Sequence, residues 1–133
     1  MIGILDYNAG NISSVLNAFK YLEIDAKRIE TLDEIMKMKG IVIPGVGSFP
    51  TAYKNMQNIG ITRNFLNKYL KKGKILGICL GMQIMYEYGE GFAALIEEKN
   101  IFGVQFHPEK SGENGLRLLK KFGEICYENN SSS

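Results

Sequence analysis

Residues 74–83, with the sequence KILGICLGMQ, constrain this chain more than any other stretch. An apolar run typical of a buried strand leads into Cys79, which lies between Gly77 and Gly81. This G-x-C-x-G pattern is the thiol counterpart of the G-x-S-x-G nucleophile elbow, where a sharp strand-to-helix turn lifts the nucleophile above a sheet. A helix beginning near Leu80 would lower the thiol pKa and could hold an oxyanion. The alternative is a buried structural cysteine.

The segment 104–110, VQFHPEK, supplies the other parts of a nucleophilic site. His107, the only histidine, ends an apolar run, and Glu109 follows two residues later. Residues i and i+2 of an extended segment point to the same side, so the imidazole and the carboxylate can lie side by side. We therefore predict a triad of Cys79, His107 and Glu109. A surface histidine before a turn proline is the simpler alternative.

Apolar runs and helical stripes alternate along the rest of the chain. Strands are predicted at 2–5, 26–30, 41–43, 74–78, 92–96 and 101–106, with helices between them and a last helix after residue 113. The pattern indicates an α/β fold, a three-layer α/β/α sandwich of flavodoxin-like type, with a mostly parallel sheet and a C-terminal hairpin. Active loops are then expected at the carboxyl ends of the strands.

Local signals mark several helix ends and one core residue. Asn11 is predicted as an N-cap, and Thr31 with Glu34 as a capping box. Asn114 is predicted to cap the last helix, whose inward stripe includes Cys126. The strand at 26–30 and the short helix that begins after Thr31 are expected to be scaffold only.

Composition indicates an ordinary globular protein. The chain has 133 residues, which suits a single domain over 1–128, with a disordered polar tail at 129–133. A net charge of +2 is too weak to favour nucleic-acid or membrane binding. Two cysteines far apart fit a reducing cytoplasm better than a disulfide scaffold. There is no signal-peptide pattern, no apolar run that would span a bilayer and no cluster with metal-ligand spacing.

Four motifs, in order, carry a family resemblance: residues 3–11 (GILDYNAGN), 43–49 (IPGVGSF), 77–83 (GICLGMQ) and 100–111 (NIFGVQFHPEKS). With these motifs the chain resembles class I (triad) glutamine amidotransferases, in particular the glutaminase subunit of imidazole glycerol phosphate synthase. The first and last motifs are the most specific, because the elbow is common to all triad amidotransferases.

The resemblance implies an activity and a partner. The triad would hydrolyse glutamine to glutamate and ammonia without a metal or other cofactor. The ammonia would pass to a (β/α)8-barrel cyclase subunit in histidine biosynthesis. The resemblance also assigns the backbone N–H groups of Gly47 and Leu80 to an oxyanion site and the Gln83 side chain to substrate binding. From the residues alone, the glycine-rich loop could be an ordinary strand-to-helix turn, and Gln83 could face water.

One departure from the family is large. Members of the family are longer by several dozen residues, and the missing part falls between Tyr88 and Gly91. It normally carries part of the glutamine pocket and of the docking surface for the cyclase. We therefore expect weak turnover, and self-association through newly exposed apolar surface. The alternatives are a glutaminase of another pathway, such as vitamin B6 synthesis, and a non-catalytic minimal scaffold, natural or engineered.

Overall fold

The computed structural model describes residues 1–7, 11–45, 49–78, 101–104 and 112–127. Strands and helices follow one another through these ranges, with two helices between the third and fourth strands. The elements are β1 (Ile2–Leu5), α1 (Ile12–Tyr21), β2 (Ala26–Ile29), α2 (Leu32–Met36), β3 (Gly40–Ile43), α3 (Phe49–Ile59), α4 (Arg63–Leu70), β4 (Lys74–Ile78), β5 (Ile101–Val104) and α5 (Gly112–Tyr127).

The five described strands form one sheet in the order β2-β1-β3-β4-β5, and every pair is parallel. This is the flavodoxin-like order, so the predicted fold class is confirmed. Strand β5 is described over Ile101–Val104, within the predicted strand 101–106, and residues 105 and 106 lie outside the described ranges. The first strand of the predicted C-terminal hairpin, at 92–96, lies outside the described residues.

Helices cover both faces of the sheet, giving three layers. Alternate strand residues point to opposite faces, so Ile41 and Ile43 belong to one core layer and Val42 to the other. The first layer packs against α2, α3 and α4 through residues such as Met56, and the second against α1 and α5. Burial on both faces explains why these strands read as unbroken apolar runs.

Three described helices, α1, α2 and α4, begin after a residue whose side chain caps the helix N-terminus. The Asn11 side chain accepts a hydrogen bond from the backbone N–H of Ser14, as predicted. Thr62 caps α4 in the same way. No helix in the described ranges has the length and apolarity needed to cross a membrane.

The prediction that Asn114 caps the last helix is wrong. Helix α5 begins at Gly112, and Asn114 is an exposed residue of its first turn. Gly112 has a φ of 66°, a conformation that glycine adopts easily, and Glu113 lies near the positive end of the helix dipole. Cys126 lies in the core, as predicted, together with Leu119 and Phe122.

Helix α5 lies very close to the start of β3. A Cβ added at Gly40 would collide with Cys126 Sγ and would lie 3.2 Å from Phe122 Cζ. The absence of a side chain at Gly40 therefore sets how closely α5 approaches the sheet.

We expect Gly40→Ala to lower the free energy of unfolding by about 1–3 kcal/mol, the usual cost of overpacking a core. Cys126→Ala removes the sulfur atom that the new methyl group meets, so the double variant should be more stable than the two single effects predict. Urea unfolding of the four proteins measures this coupling. Strict additivity would show that the contact with Cys126 is not the cause.

The predicted capping box at the start of α2 is confirmed. The Thr31 hydroxyl accepts from the Glu34 N–H at 3.2 Å, and Glu34 Oε1 accepts from the Thr31 N–H at 3.1 Å. The same oxygen accepts from the Glu30 N–H at 2.9 Å. This last bond, followed by those from Thr31, holds the pKa of the Glu34 carboxyl below its ordinary value of 4.5.

We predict that Glu34→Gln makes stability less dependent on pH in the acid range. A lowered pKa in the folded state means that the carboxylate stabilises the fold above its unfolded pKa. This contribution is lost as the pH falls through the lowered value. Urea midpoints of the wild type and Glu34→Gln between about pH 3 and pH 6, a range that includes the ordinary pKa of glutamate, measure the effect. Parallel pH profiles would contradict the prediction.

Candidate functional site

The carboxyl edge of the sheet is the place where a site is expected. From β1 the chain moves to one side of the sheet to form β2 and then crosses to the other side to form β3. Such a reversal is a topological switch point, and ligands of open α/β sheets bind outside the strand ends there. Asp6 and Tyr7 follow β1 at this edge, and Pro44 and Gly45 follow β3.

Tyr7 joins the two sides of the switch point. Its side chain is only 2% exposed and belongs to the same core layer as Ile43 and Met56. Its hydroxyl donates a hydrogen bond to the carbonyl oxygen of Pro44. Burial raises the pKa of Tyr7, so the hydroxyl stays protonated and remains a donor. The segment after β1 is therefore tied to the first residue after β3.

A charged group lies beside Tyr7. Arg28 Nη1 lies 3.5 Å from Asp6 Oδ2, and Arg28 Nη2 lies 2.9 Å from Glu30 Oε1. The Arg28 side chain is 57% exposed, so these ion pairs contribute little to stability. Their effect is to bring a positive charge to two carboxylates at the ends of β1 and β2.

Asp6, Tyr7 and Glu30 border a cleft of about 310 Å³, near the lower limit for small-molecule sites. Among the described residues, its lining combines two carboxylates, two carboxamides, one tyrosine ring and one isoleucine: Asp6, Tyr7, Glu30, Asn55, Asn58 and Ile59. In the described part of the chain no group of three or more His, Cys, Asp or Glu residues could hold a metal ion. The cleft is suited to hydrogen bonding with a small polar ligand.

The six residues predicted to act on substrate lie outside the described ranges, and their roles stay predictions. They are the proposed triad, the two oxyanion donors and the substrate-binding glutamine: Cys79, His107, Glu109, Gly47, Leu80 and Gln83. The described strands nevertheless fix where the chain enters these segments. Ile78, the last residue of β4, is the register partner of Val104, the last residue of β5.

The sequence interpretation missed the contacts around Tyr7. Strand β2 was expected to be scaffold, yet Arg28 pairs with the carboxylates beside the cleft. Helix α3 was given no role, yet Asn55 and Asn58 line the cleft. A tyrosine two residues after a buried strand, within the motif at 3–11, is the local signal that could have pointed to Tyr7.

Comparison with known proteins gives consistent matches. The family model described as "Glutamine amidotransferase class-I" matches residues 4–92. A protein named imidazole glycerol phosphate synthase subunit HisH from Caldanaerobacter subterraneus subsp. tengcongensis is 30% identical over 200 residues, covering 94% of this chain and 98% of the relative. A protein of the same name from Streptococcus sanguinis is 28% identical over 204 residues, covering 97% and 98%.

Solved structures agree on the fold. A Thermoplasma acidophilum protein described as a GMP synthase subunit matches with a TM-score of 0.69 and 17% identity, covering 94% of this chain and 92% of that one. A structure of a glutamine amidotransferase matches with a TM-score of 0.52 and 26% identity, covering 60% of this chain and 42% of that one. At 17% identity the first match shows the fold alone.

The alignment lengths show that this chain is shorter than its relatives. The 200 aligned positions of the Caldanaerobacter relative exceed the 133 residues of this chain by 67, so at least that many positions fall opposite a gap. The family-model match stops at residue 92, close to the break predicted between Tyr88 and Gly91.

Proposed function

Since this chain belongs to the class I glutamine amidotransferase family, we propose that it hydrolyses glutamine to glutamate and ammonia at the carboxyl edge of its sheet. The observation that carries the proposal is the pairing of Ile78 with Val104. Cys79 is the next residue in the chain after Ile78, and His107 comes three residues after Val104. Neighbouring strands lie about 4.8 Å apart, so the nucleophile segment and the base segment leave the sheet from adjacent points.

The proposed reaction uses three side chains. The Cys79 thiolate attacks the carboxamide carbon of glutamine, after His107 has taken the thiol proton. The carbon–nitrogen bond breaks as His107 returns the proton to the leaving ammonia, and a thioester remains. Water hydrolyses the thioester to glutamate and restores the thiol. Glu109 holds the imidazole in the tautomer that accepts the proton.

Two further roles complete the proposed site. The backbone N–H groups of Gly47 and Leu80 stabilise the tetrahedral oxyanion, a contribution that is commonly the largest in acyl transfer. The Gln83 side chain holds the amino-acid end of the substrate. The support is that 43–49 and 77–83 match the family's motifs, and that the two strands at whose carboxyl ends these motifs begin, β3 and β4, are adjacent and parallel.

The proposed partner is a (β/α)8-barrel cyclase that receives the ammonia for imidazole glycerol phosphate synthesis, a step of histidine biosynthesis. Support comes from the relatives, which carry the name of the HisH subunit of that synthase.

We also propose a single domain over 1–128 and a cytoplasmic location. Cys126 is a buried free thiol, which suits a reducing compartment.

The missing positions favour a second candidate, a non-catalytic scaffold that retains the motifs of the family. Aligned positions without a counterpart in this chain remove contacts that a full-length relative could make to a substrate or partner. Positioning of a substrate can contribute about 7–11 kcal/mol to lowering a barrier. We therefore propose that turnover of glutamine is impaired relative to a full-length family member.

We expect the purified chain to release glutamate from glutamine slowly, and addition of a barrel cyclase to raise the rate. A coupled glutamate dehydrogenase assay measures release with and without the cyclase. Loss of positioning should leave the rate at least tenfold below that of a full-length HisH protein, an effect of about 1.4 kcal/mol or more.

The matched controls are Cys79→Ala and Cys126→Ala. The first removes the proposed nucleophile, and the second removes the buried thiol of α5. Release that survives Cys126→Ala and is abolished by Cys79→Ala supports the proposed reaction. No release above the Cys79→Ala background, with or without cyclase, would favour the scaffold. A rate equal to the full-length protein would refute impairment.

We also propose that the chain self-associates through apolar surface. The positions that this chain lacks relative to its relatives would otherwise cover apolar surface of the domain. Strand β5 follows the shortened connection, and its sequence, IFGV, carries no charge. We expect sedimentation equilibrium to show a mass that rises with concentration, and Phe102→Lys to reduce that rise. A monomer at every concentration would contradict the proposal.

A further inference from the structure

We propose that Tyr7 is a positioning residue: its hydroxyl holds the Pro44 carbonyl and so orients the peptide from which the glycine-rich loop leaves β3. The consequence for catalysis rests on the proposed function, in which this loop supplies an oxyanion donor. The consequence for the loop itself does not depend on that function.

Tyr7 is itself firmly held. The backbone N–H of Asp6 donates to the Ile29 carbonyl at 2.9 Å, which extends the pairing of β1 with β2 by one residue. The ring of Tyr7 is buried in the core layer of α2, α3 and α4. A side chain with two rotatable bonds, fixed at its backbone and its ring, keeps its hydroxyl in one position.

Pro44 is suited to receive this hydrogen bond. The proline ring fixes φ and removes the N–H, so the carbonyl is the one backbone polar group that Pro44 offers. Pro44 and Gly45 are both buried. A buried carbonyl that loses its partner costs more free energy than an average hydrogen bond contributes.

The Pro44 carbonyl and the Gly45 N–H belong to one planar peptide group. Holding the oxygen therefore fixes the direction of that N–H and of the chain that follows. The next residues, GVGS, include two glycines, which accept conformations that other residues avoid. Because glycine restricts the backbone little, the sequence of these residues does not by itself fix the direction of their N–H groups, and a fixed preceding peptide contributes that constraint.

The chain provides a matched control in Tyr69. This side chain is fully buried in the same core layer, and its hydroxyl donates to the Met38 carbonyl at 3.0 Å. Met38 precedes β3, so this hydrogen bond lies at the amino edge of the sheet, and that of Tyr7 lies at the carboxyl edge. The two tyrosines thus make the same kind of bond at opposite ends of β3.

The test compares Tyr7→Phe with Tyr69→Phe, each of which removes one buried hydroxyl and keeps the ring. Urea unfolding should show similar losses of stability. Hydrogen exchange followed by mass spectrometry on peptides spanning 44–49 should be at least threefold faster in Tyr7→Phe and unchanged in Tyr69→Phe. In glutamine hydrolysis, Tyr7→Phe should lower kcat about tenfold at unchanged KM, less than the roughly 10²–10³ of a deleted oxyanion donor, because the loop is loosened and its donors remain.

The outcomes separate this inference from the proposed function. Equal exchange rates at 44–49 in the two variants would overturn the positioning role, whether or not the chain is active. Faster exchange with unchanged kcat in an active chain would overturn its link to catalysis. If the wild type releases no glutamate, the proposed function fails, and the exchange comparison still decides whether Tyr7 positions the loop.

Discussion

Parallel pairing of strands that are buried on both faces is the constraint on which the rest of the structure depends. Each connection between parallel strands must cross back over a face of the sheet, so helices cover both faces and every strand ends at the same edge. The register makes these ends nearly level, with Leu5 beside Ile29, Ile43 beside Gly77 and Ile78 beside Val104. Segments far apart in the sequence therefore start from neighbouring points.

The two edges of the sheet are built differently. At the amino edge, the Tyr69 hydroxyl bonds to Met38, Gly40 admits Cys126, and the Lys74 N–H donates to the Lys39 carbonyl. These contacts hold helices and strands of the core together and involve none of the candidate site residues. At the carboxyl edge, the Tyr7 hydroxyl bonds to the first residue after β3, and carboxylates and carboxamides border a cleft. The cleft at the carboxyl edge lies at the switch point, where a site is expected, although polar side chains such as Lys20 and Asp25 also border a second cleft beside the start of β2.

The sequence predicted the scaffold well because the signals for it are local. Apolar runs identified β1, β3 and β4, and capping residues such as Asn11 and Thr31 marked helix starts. Asn114 was misassigned because the sequence does not distinguish an asparagine that precedes a helix from one in its first turn. Gly112, with its positive φ, allows the helix to begin two residues before Asn114.

Contacts at the candidate site depend on strand order, which no local pattern states. Tyr7 and Pro44 are 37 positions apart and meet because β1 and β3 are neighbours. Arg28 reaches Asp6 because β2 lies on the other side of β1. Either contact can be predicted only when the order of the strands in the sheet is known. The triad was predicted from spacing and resemblance. The described strands give only the points, Ile78 and Val104, after which the segments that carry it continue.

The chain can be shorter than its relatives and still meet the requirement for parallel pairing of its buried strands. A crossover between adjacent parallel strands needs about a dozen residues or more, and residues 79–100 between β4 and β5 exceed that. The pairs joining β1 to β4 involve only residues before this connection. Strand order can therefore survive the loss of a long segment there, because the sheet requires only that the chain cross one face. What such a loss removes is surface that could contact a substrate or partner, so fold and activity can be affected independently.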